Sequence, residues 1–319
     1  ADDGPATYRD DFGFDEGPRA TPVVAEGRLY TFGAQGVLTC RDAATGKPVW
    51  SVDTAAKFGA AKGFFGMACS PLVEGDAVIL TLGGRGGAGV VAFDRKTGQV
   101  RWQATDHEAS YASPVAATVR GKRRVFALTG TGLAVLDPAG GAVVAQFPWR
   151  PPVRTSVSAA TPLVIGDAVF LSASYGAGAV LLNIAGDGRL EPAWSGDESL
   201  SNHYSTSVHH AGHLYGFHGR QEQGASLRCV ELATGKVRWD EEGFGAGSLL
   251  VAGDRLLTLT EKGQLVVAPA TPDGFKPAAK AQVLPFESRA HPALAGGRLY
   301  ARGPKKLVCV DLRETEARE

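Results

Sequence analysis

Histidines are the side chains of this sequence best suited to proton transfer near neutral pH. Five of the seven fall in one stretch: His203, His209, His210, His213 and His218. His209 and His210 are neighbours on a predicted strand, so they point to opposite faces, and His213 falls in a predicted turn. This leaves His203 and His218, with Glu222, as candidate catalytic residues. We expect no metal site, because these residues do not form a metal-binding motif.

Two further features resemble reactive motifs without matching them. The glycine-rich run at 83–89 lacks the Lys-Ser/Thr and the following helix of a phosphate-binding loop. The four cysteines form no CxxC pair. Cys40, Cys229 and Cys309 take equivalent places in the repeat described next, which predicts buried, unreactive thiols; Cys69 lies elsewhere and is the one candidate for reactivity.

An internal repeat provides the framework that must position these residues. Seven segments share one layout of Thr/Ser-Pro or a similar opening, an apolar run, a glycine turn, and further apolar runs, at spacings of 41 to 49 residues. A period near ~45 residues suits four short strands per repeat, as in propeller blades. Glycine is abundant, 42 of 319 residues, which fits many tight turns.

The clearest part of the repeat reads D-x-x-T-G-x-x-x-W. Two copies match it fully, Asp42 to Trp50 and Asp94 to Trp102. A third copy, Glu231 to Trp239, has glutamate in place of the aspartate. A looser copy ends at Trp194, and the third repeat has Ala145 in place of tryptophan. The motif resembles the tryptophan-docking signature of pyrroloquinoline-quinone (PQQ) type propeller repeats. We expect each indole to pack between neighbouring blades and its N–H to find an acceptor.

The predicted fold is therefore all-β, a seven-bladed β-propeller of four-stranded antiparallel blades, with eight blades as the alternative. We predict one domain over 1–319. Its blades are placed at 21–54, 70–107, 112–149, 160–200, 204–245, 247–284 and 290–314. A closing strand at 7–11, with Tyr8 near the tryptophan position, is predicted to complete the last blade and remove open sheet edges.

The loops predict where function lies. Strands alternate in direction, so the connections from the fourth strand to the next blade share a face with those between second and third strands; we call this the long-loop face. Loops on a rigid scaffold are the usual place for function. The predicted ligand-binding residues on this face are Arg19, Phe65, Tyr111, Ser158, Asn202, His203, Tyr204, His218, Arg220, Glu222, Arg289 and His291.

Composition narrows the function classes. Lys+Arg and Asp+Glu are each 33, giving a formal charge of zero, and there is no basic stripe of the kind that binds nucleic acid. No apolar run approaches the ~18 residues of a membrane span. We expect neither a nucleic-acid partner nor a transmembrane segment, and we expect a monomer.

The resemblance to PQQ-type repeats implies two settings. Quinoprotein dehydrogenases use such repeats to hold PQQ and calcium, but they are much longer, and the adjacent cysteines typical of the alcohol enzymes are missing here; we expect no cofactor, PQQ included. The chain also resembles the propeller lipoproteins that assist outer-membrane β-barrel assembly, which implies an exported or periplasmic protein, with the cytoplasm as the alternative.

The functional prediction is a non-catalytic binding or scaffold propeller that recognises a protein, peptide or glycan on the long-loop face. The alternative is a hydrolase or lyase acting on a polar, sugar-like substrate, with His203, Tyr204, His218, Arg220 and Glu222 as its working residues. A PQQ-dependent dehydrogenase ranks behind both, and whether the chain is an enzyme is left open.

Overall fold

Seven antiparallel sheets make up the described part of the chain. The structure is a computed structural model that describes residues 19–153 and 156–313. The predicted closing strand at 7–11 lies outside the described residues. The chain divides into two compact units, Ala1–Leu171 with Leu182–Pro192, and Ser172–Leu181 with Ala193–Glu319. We call them unit 1 and unit 2, and the single-domain organisation stays a prediction.

The first three sheets belong to unit 1, and each pairs its four strands in chain order. Sheet one contains β1 (Val23–Ala25), β2 (Arg28–Phe32), β3 (Val37–Asp42) and β4 (Pro48–Asp53). Sheet two contains β5 (Leu72–Glu74), β6 (Ala77–Thr81), β7 (Val90–Asp94) and β8 (Val100–Ala104). Sheet three contains β9 (Val115–Val119), β10 (Lys122–Leu128), β11 (Gly132–Leu136) and β12 (Val143–Pro148).

The remaining sheets follow the same order. Sheet four contains β13 (Leu163–Ile165), β14 (Ala168–Ala173), β15 (Gly178–Ile184) and β16 (Leu190–Gly196). Sheet five contains β17 (Val208–His210), β18 (His213–His218), β19 (Ser226–Glu231) and β20 (Val237–Glu241). Sheet six contains β21 (Gly247–Ala252), β22 (Arg255–Thr260), β23 (Gln264–Pro269) and β24 (Ala279–Gln282). Sheet seven contains β25 (Ala293–Ala295), β26 (Arg298–Arg302) and β27 (Leu307–Asp311).

In sheets one to six, the second and third strands carry most of the core. All five residues of β6 and of β11 are buried, whereas the fourth strand β4 is exposed or half-exposed throughout. The predicted turns join these strands. In sheet one, Asp42 Oδ1 accepts hydrogen bonds from the Thr45 backbone N–H at 2.9 Å and the Thr45 hydroxyl at 2.8 Å. This side-chain turn explains the acid and the threonine of the repeat motif.

Four tryptophans occupy the predicted docking position, and each indole N–H donates to a backbone carbonyl of the following sheet. The pairs are Trp50 with Arg95 at 3.1 Å, Trp102 with Pro138 at 3.0 Å, Trp194 with Leu232 at 2.8 Å, and Trp239 with Thr271 at 2.8 Å. Turn glycines of the following sheet lie against three of these rings. A Cβ added to the glycine would stand 2.6–2.8 Å from the ring in each pair: Gly98 with Trp50, Gly141 with Trp102, and Gly235 with Trp194.

The cysteines follow the predicted pattern with one correction. Cys40, Cys69 and Cys229 are buried, but Cys309 is exposed. Cys309 lies on β27, which pairs with β26 and has no fourth strand beside it among the described residues. Cys69 donates to the Thr81 carbonyl oxygen at 3.3 Å, and burial raises the pKa of its thiol to about 12. A thiol with so high a pKa is inert at neutral pH.

In the part of the chain that the structure describes, helices are few and short. α1 (Thr54–Phe58) follows β4, and its N-cap Asp53 accepts from the Ala56 backbone N–H at 2.9 Å. A single 3₁₀ turn spans Gln221–Gln223 between β18 and β19. Within residues 19–153 and 156–313, no helix has the length and apolar character needed to cross a bilayer.

Candidate functional site

Three loops of unit 2 bring together four side chains that we call the histidine cluster: Tyr175, His203, Arg220 and Glu222. Tyr175 lies in the β14–β15 loop, His203 between β16 and β17, and Arg220 with Glu222 at the 3₁₀ turn after β18. Three of the four were predicted as site residues on the long-loop face. Tyr175 is the addition, and its backbone has a φ of 64°, in the left-handed region that costs a non-glycine residue free energy.

The cluster is held by contacts among its own members. Tyr175 Oη and His203 Nε2 are hydrogen-bonded at 3.1 Å. The Arg220 guanidinium carbon lies 4.4 Å from the centroid of the Tyr175 ring, a cation–π contact. Arg220 also pairs with Glu222 at 3.2 Å, and Glu222 Oε2 is 4.0 Å from His203 Nδ1. Each side chain therefore contacts two others of the cluster.

The protonation states follow from burial and from these contacts. Burial lowers the pKa of His203, and the nearby Arg220 lowers it further, while Glu222 opposes the shift. Burial acts to raise the pKa of Glu222, but hydrogen bonds from its own backbone N–H and from Arg220 outweigh it, so this pKa is lowered. At neutral pH, His203 is a neutral imidazole beside a carboxylate and a tyrosine hydroxyl, the arrangement that a general base requires.

A second group of unit 2 joins Tyr204 to Arg289 through Glu261. The Tyr204 hydroxyl donates to Glu261 Oε1 at 2.9 Å, and Arg289 Nε donates to the same oxygen at 2.8 Å. Burial raises the pKa of Tyr204, and the Glu261 carboxylate adds to the shift. Tyr204 and Arg289 were predicted as site residues, and the structure brings them together through an acid that was not.

Three other predicted residues of unit 2 make local contacts. The Asn202 amide is buried, donating to the Phe217 carbonyl oxygen at 2.8 Å and accepting from the Ser207 hydroxyl at 2.8 Å. His218 Nδ1 accepts the Ser201 backbone N–H at 3.1 Å, away from the histidine cluster. His291 Nδ1 lies 3.0 Å from the carbonyl oxygen of Pro292. The structure therefore brings His203 and Glu222 together, and His218 is not part of their group.

The space beside the histidine cluster is small. A cavity of about 10 Å³ is lined by His203, Tyr204, Ser205 and Gln221 among others. Such a volume holds about one water molecule. Among the described residues, no three His, Cys, Asp or Glu side chains are grouped closely enough to hold a metal ion.

The predicted site residues of unit 1 form a separate, aromatic group. The Phe65 and Tyr111 rings contact each other edge-to-face, with 5.8 Å between their centroids. The Arg19 guanidinium carbon lies 5.5 Å from the centroid of the Phe65 ring. The Tyr111 backbone N–H donates to the carbonyl oxygen of Ser158, whose side chain is buried. Phe64, next to Phe65, is 42% exposed, so this group presents an apolar ring to solvent.

Two residues of unit 2 were missed by sequence reasoning. Tyr175 had a signal, because it precedes a glycine in a long loop of the predicted face. Glu261 had only a weak signal, because its connection between β22 and β23 lies on the predicted face but is a short Thr-Glu-Lys-Gly turn. Its partners, Tyr204 and Arg289, are 57 and 28 residues away in sequence.

Comparison with known proteins places this arrangement among propellers. The crystal structure of BamB from Moraxella catarrhalis matches over 92% of this chain and 82% of its own, with a TM-score of 0.67 and 17% identity. The computationally designed protein Ika8 matches with a TM-score of 0.51 and 12% identity, over 92% of this chain and 97% of its own. The seven sheets are thus the blades of a β-propeller, which confirms the predicted fold class.

Dehydrogenases of the quinoprotein type also share the repeat. The quinohemoprotein alcohol dehydrogenase of Comamonas testosteroni matches with a TM-score of 0.50 and 13% identity, over 89% of this chain and 62% of its own. The quinohemoprotein alcohol dehydrogenase ADH-IIG of Pseudomonas putida is 33% identical over 121 residues, which are 35% of this chain and only 15% of that protein. This chain therefore spans less than two thirds of the length of either dehydrogenase.

A family model matches a longer part of this chain than the Pseudomonas putida enzyme does. The model described as outer membrane protein assembly factor BamB matches residues 1–241. That span includes the four docking tryptophans and the histidine cluster. With its predicted PQQ-like repeats present as blades, this chain belongs to the BamB family of propeller proteins.

Proposed function

We propose that this protein is a non-catalytic binding propeller that recognises polypeptides on its long-loop face. The observation that carries the proposal is the small space beside the histidine cluster, whose side chains contact one another next to a cavity of about 10 Å³. A hydrolase or lyase needs room for a substrate next to His203, and this space holds about one water molecule. A cluster with so little space beside it suits a contact surface instead.

In each unit, taken by itself, a long loop supplies an apolar contact of the kind that a protein interface needs. Phe64, between β4 and β5, is 42% exposed, and Phe286, between β24 and β25, is 61% exposed. Aromatic side chains are enriched among the residues that dominate binding energy at protein interfaces. Arg220 and Arg289, each paired with a carboxylate, would form part of a polar rim.

The family suggests which polypeptides are bound. Its description as an outer membrane protein assembly factor supports a role for this chain in outer-membrane protein assembly, with unfolded outer-membrane proteins or assembly components as partners. The same description supports an exported, periplasmic location. Glycan recognition, the other class predicted from the sequence, receives no support from so small a space.

The direct test measures binding of a fluorescently labelled outer-membrane β-barrel protein, diluted from urea, by fluorescence anisotropy. We expect saturable binding to the wild-type chain. Phe64→Ser and Phe286→Ser should each weaken it by about tenfold, since truncated hot-spot aromatics cost on the order of 1–2 kcal/mol. His203→Gln should change it much less, because the imidazole lies inside its own cluster.

Val24→Ser is the matched control. Val24 is 66% exposed but lies on the strand β1 rather than in a long loop. The control should bind like the wild-type chain. Absence of binding, or equal losses for Val24→Ser and the two phenylalanine variants, would contradict the proposal.

A further inference from the structure

The third blade lacks the docking tryptophan, and a cleft marks its place. Val135 on β11 pairs with Ala145 on β12, as Cys40 pairs with Trp50 in sheet one. A cleft of about 90 Å³ lies here between sheet three and the β15–β16 turn of sheet four, entirely within unit 1. Its apolar lining includes Phe126, Val135 and Val144.

The wall opposite these residues is the β15–β16 turn. Its glycine Gly188 has a φ of 91°, and an added Cβ would stand 3.7 Å from Val144, whereas at Gly98 the atoms met first belong to the Trp50 ring. The turn is also built differently: the Gly188 N–H donates to Ala185, three residues back, and the Gly98 N–H reaches four residues back. The β15–β16 turn thus presents a glycine surface that no indole covers.

The acceptor of the docking position is also retained. Ile184, the last residue of β15, is equivalent to Arg95, since the N–H of each donates to the carbonyl of the aspartate before the second strand of its sheet. The Ile184 carbonyl oxygen accepts from Arg120 Nε at 2.8 Å. Arg120 also pairs with Asp167 at 3.1 Å. A carbonyl oxygen has two lone pairs, and the Arg95 oxygen uses both, for the Trp50 indole and the Tyr30 hydroxyl. The Ile184 oxygen has the same capacity for a second donor.

The guanidinium groups at this cleft are held by ion pairs. Arg120 pairs with Asp167 and Arg124 pairs with Asp137, each at 3.1 Å. A guanidinium held beside an apolar cleft favours an aromatic ring through a cation–π contact.

We propose that this cleft binds a tryptophan side chain presented by a polypeptide partner. The indole enters where the chain's own tryptophan docks in other blades, stacks beside Arg120, and donates its N–H to the Ile184 carbonyl oxygen. The site is built from turns rather than from the long loops, so it does not depend on the function proposed above.

The test uses the short peptide acetyl-Asp-Trp-Glu-amide and the full chain labelled at its Val, Leu and Ile methyl groups. Titration followed by NMR should give saturable shifts of the Val135, Val144 and Ile184 methyl signals. The same peptide with leucine in place of tryptophan should bind at least tenfold more weakly, because it has neither the ring nor the N–H donor. Shifts elsewhere in the chain, or equal binding of both peptides, would overturn the proposal.

Two variants locate the site. Ala145→Trp should fill the cleft from within, abolish peptide binding and raise the midpoint of thermal unfolding. Gln146→Trp, at the next position and exposed, is its control and should bind as the wild type does. Arg120→Gln, which does not rely on the packing of a new ring, should weaken binding about three- to fivefold, the equivalent of one cation–π contact.

The outcomes separate this proposal from the one above. Phe64→Ser and Phe286→Ser should leave binding of the tryptophan peptide unchanged. Wild-type affinity for the peptide in both Ala145→Trp and Arg120→Gln would overturn the cleft proposal and leave the long-loop face untouched.

Discussion

His203 shows how one buried side chain links the candidate site to stability. Its ring is 11% exposed and contacts a tyrosine, a carboxylate and, through that carboxylate, an arginine. Because burial lowers its pKa below the ordinary value of 6.5, the folded protein binds its proton less readily than the unfolded chain does. The same direction holds for His107, His209 and His218.

The pH dependence of stability follows from this difference. Above about pH 6.5 these histidines are neutral in both states and have no effect. Below it, the unfolded chain takes up protons that the folded chain does not, so the free energy of unfolding falls by up to about 1.4 kcal/mol per pH unit for each such group. We expect His203→Gln to reduce this slope between pH 6.5 and 5, measured by urea unfolding. Unfolding at pH 8 serves as the reference, and an unchanged slope would rule out the burial effect.

Turn glycines offer a second test at the scale of single residues. Gly98 and Gly27 both have a φ of 73°, but only Gly98 faces an indole, 2.8 Å from the site of a Cβ; Gly27 has nothing within 4 Å. Gly27→Ala should cost about 1–2 kcal/mol for the left-handed backbone alone. Gly98→Ala should cost about 1–3 kcal/mol more, because the Trp50 ring must move.

Gly188 distinguishes the third blade in the same experiment. With Val144 at 3.7 Å from its Cβ site, Gly188→Ala should resemble Gly27→Ala in the free energy of unfolding measured by urea titration. A penalty as large as that of Gly98→Ala would show that the cleft is not open in solution.

At the scale of the elements, the docking tryptophans join one sheet to the next. Trp102 is 7% exposed and its N–H is bound at 3.0 Å. We expect Trp102→Ala to lower the free energy of unfolding by about 3–5 kcal/mol, and Trp102→Phe by about 1–2 kcal/mol, mainly from the lost hydrogen bond. Trp149→Ala, at a tryptophan outside the docking position, is the control. Urea unfolding followed by circular dichroism measures these changes. If Trp102→Ala lowers the free energy of unfolding no more than Trp149→Ala does, docking adds little stability.

At the scale of the whole molecule, this chain can be compared with the quinoprotein dehydrogenases. It covers 62% of the Comamonas testosteroni structure and aligns with 15% of the Pseudomonas putida enzyme. The sequence predicts no cofactor, and we expect PQQ with Ca²⁺ to cause no shift in the midpoint of thermal unfolding, whereas a ligand bound at 100 times its dissociation constant would add about 2.7 kcal/mol of stability. Outer-membrane protein segments serve as the positive comparison. A saturable quinone absorbance change on titration with PQQ would contradict this prediction.

The periodic part of the sequence determined the blades. The acid, threonine, glycine and tryptophan of the motif each act on near neighbours or on the next repeat, as the Asp42–Thr45 turn and the Trp50–Arg95 bond show. Such contacts recur with the repeat, so their spacing predicts four-stranded blades and their turns, and the resemblance of the motif to PQQ-type repeats predicts the docking of the indoles. The absence of tryptophan at Ala145 was equally plain in the sequence.

Only the tertiary structure decided which loop side chains meet. Tyr175 joins His203, and Glu261 joins Tyr204 to Arg289, while His218 turns to the Ser201 backbone. Arg120 reaches the Ile184 carbonyl, 64 residues away, beside the cleft at Ala145. These loops and turns differ from repeat to repeat, so no period constrains them. Their contacts depend on where folding brings distant segments together.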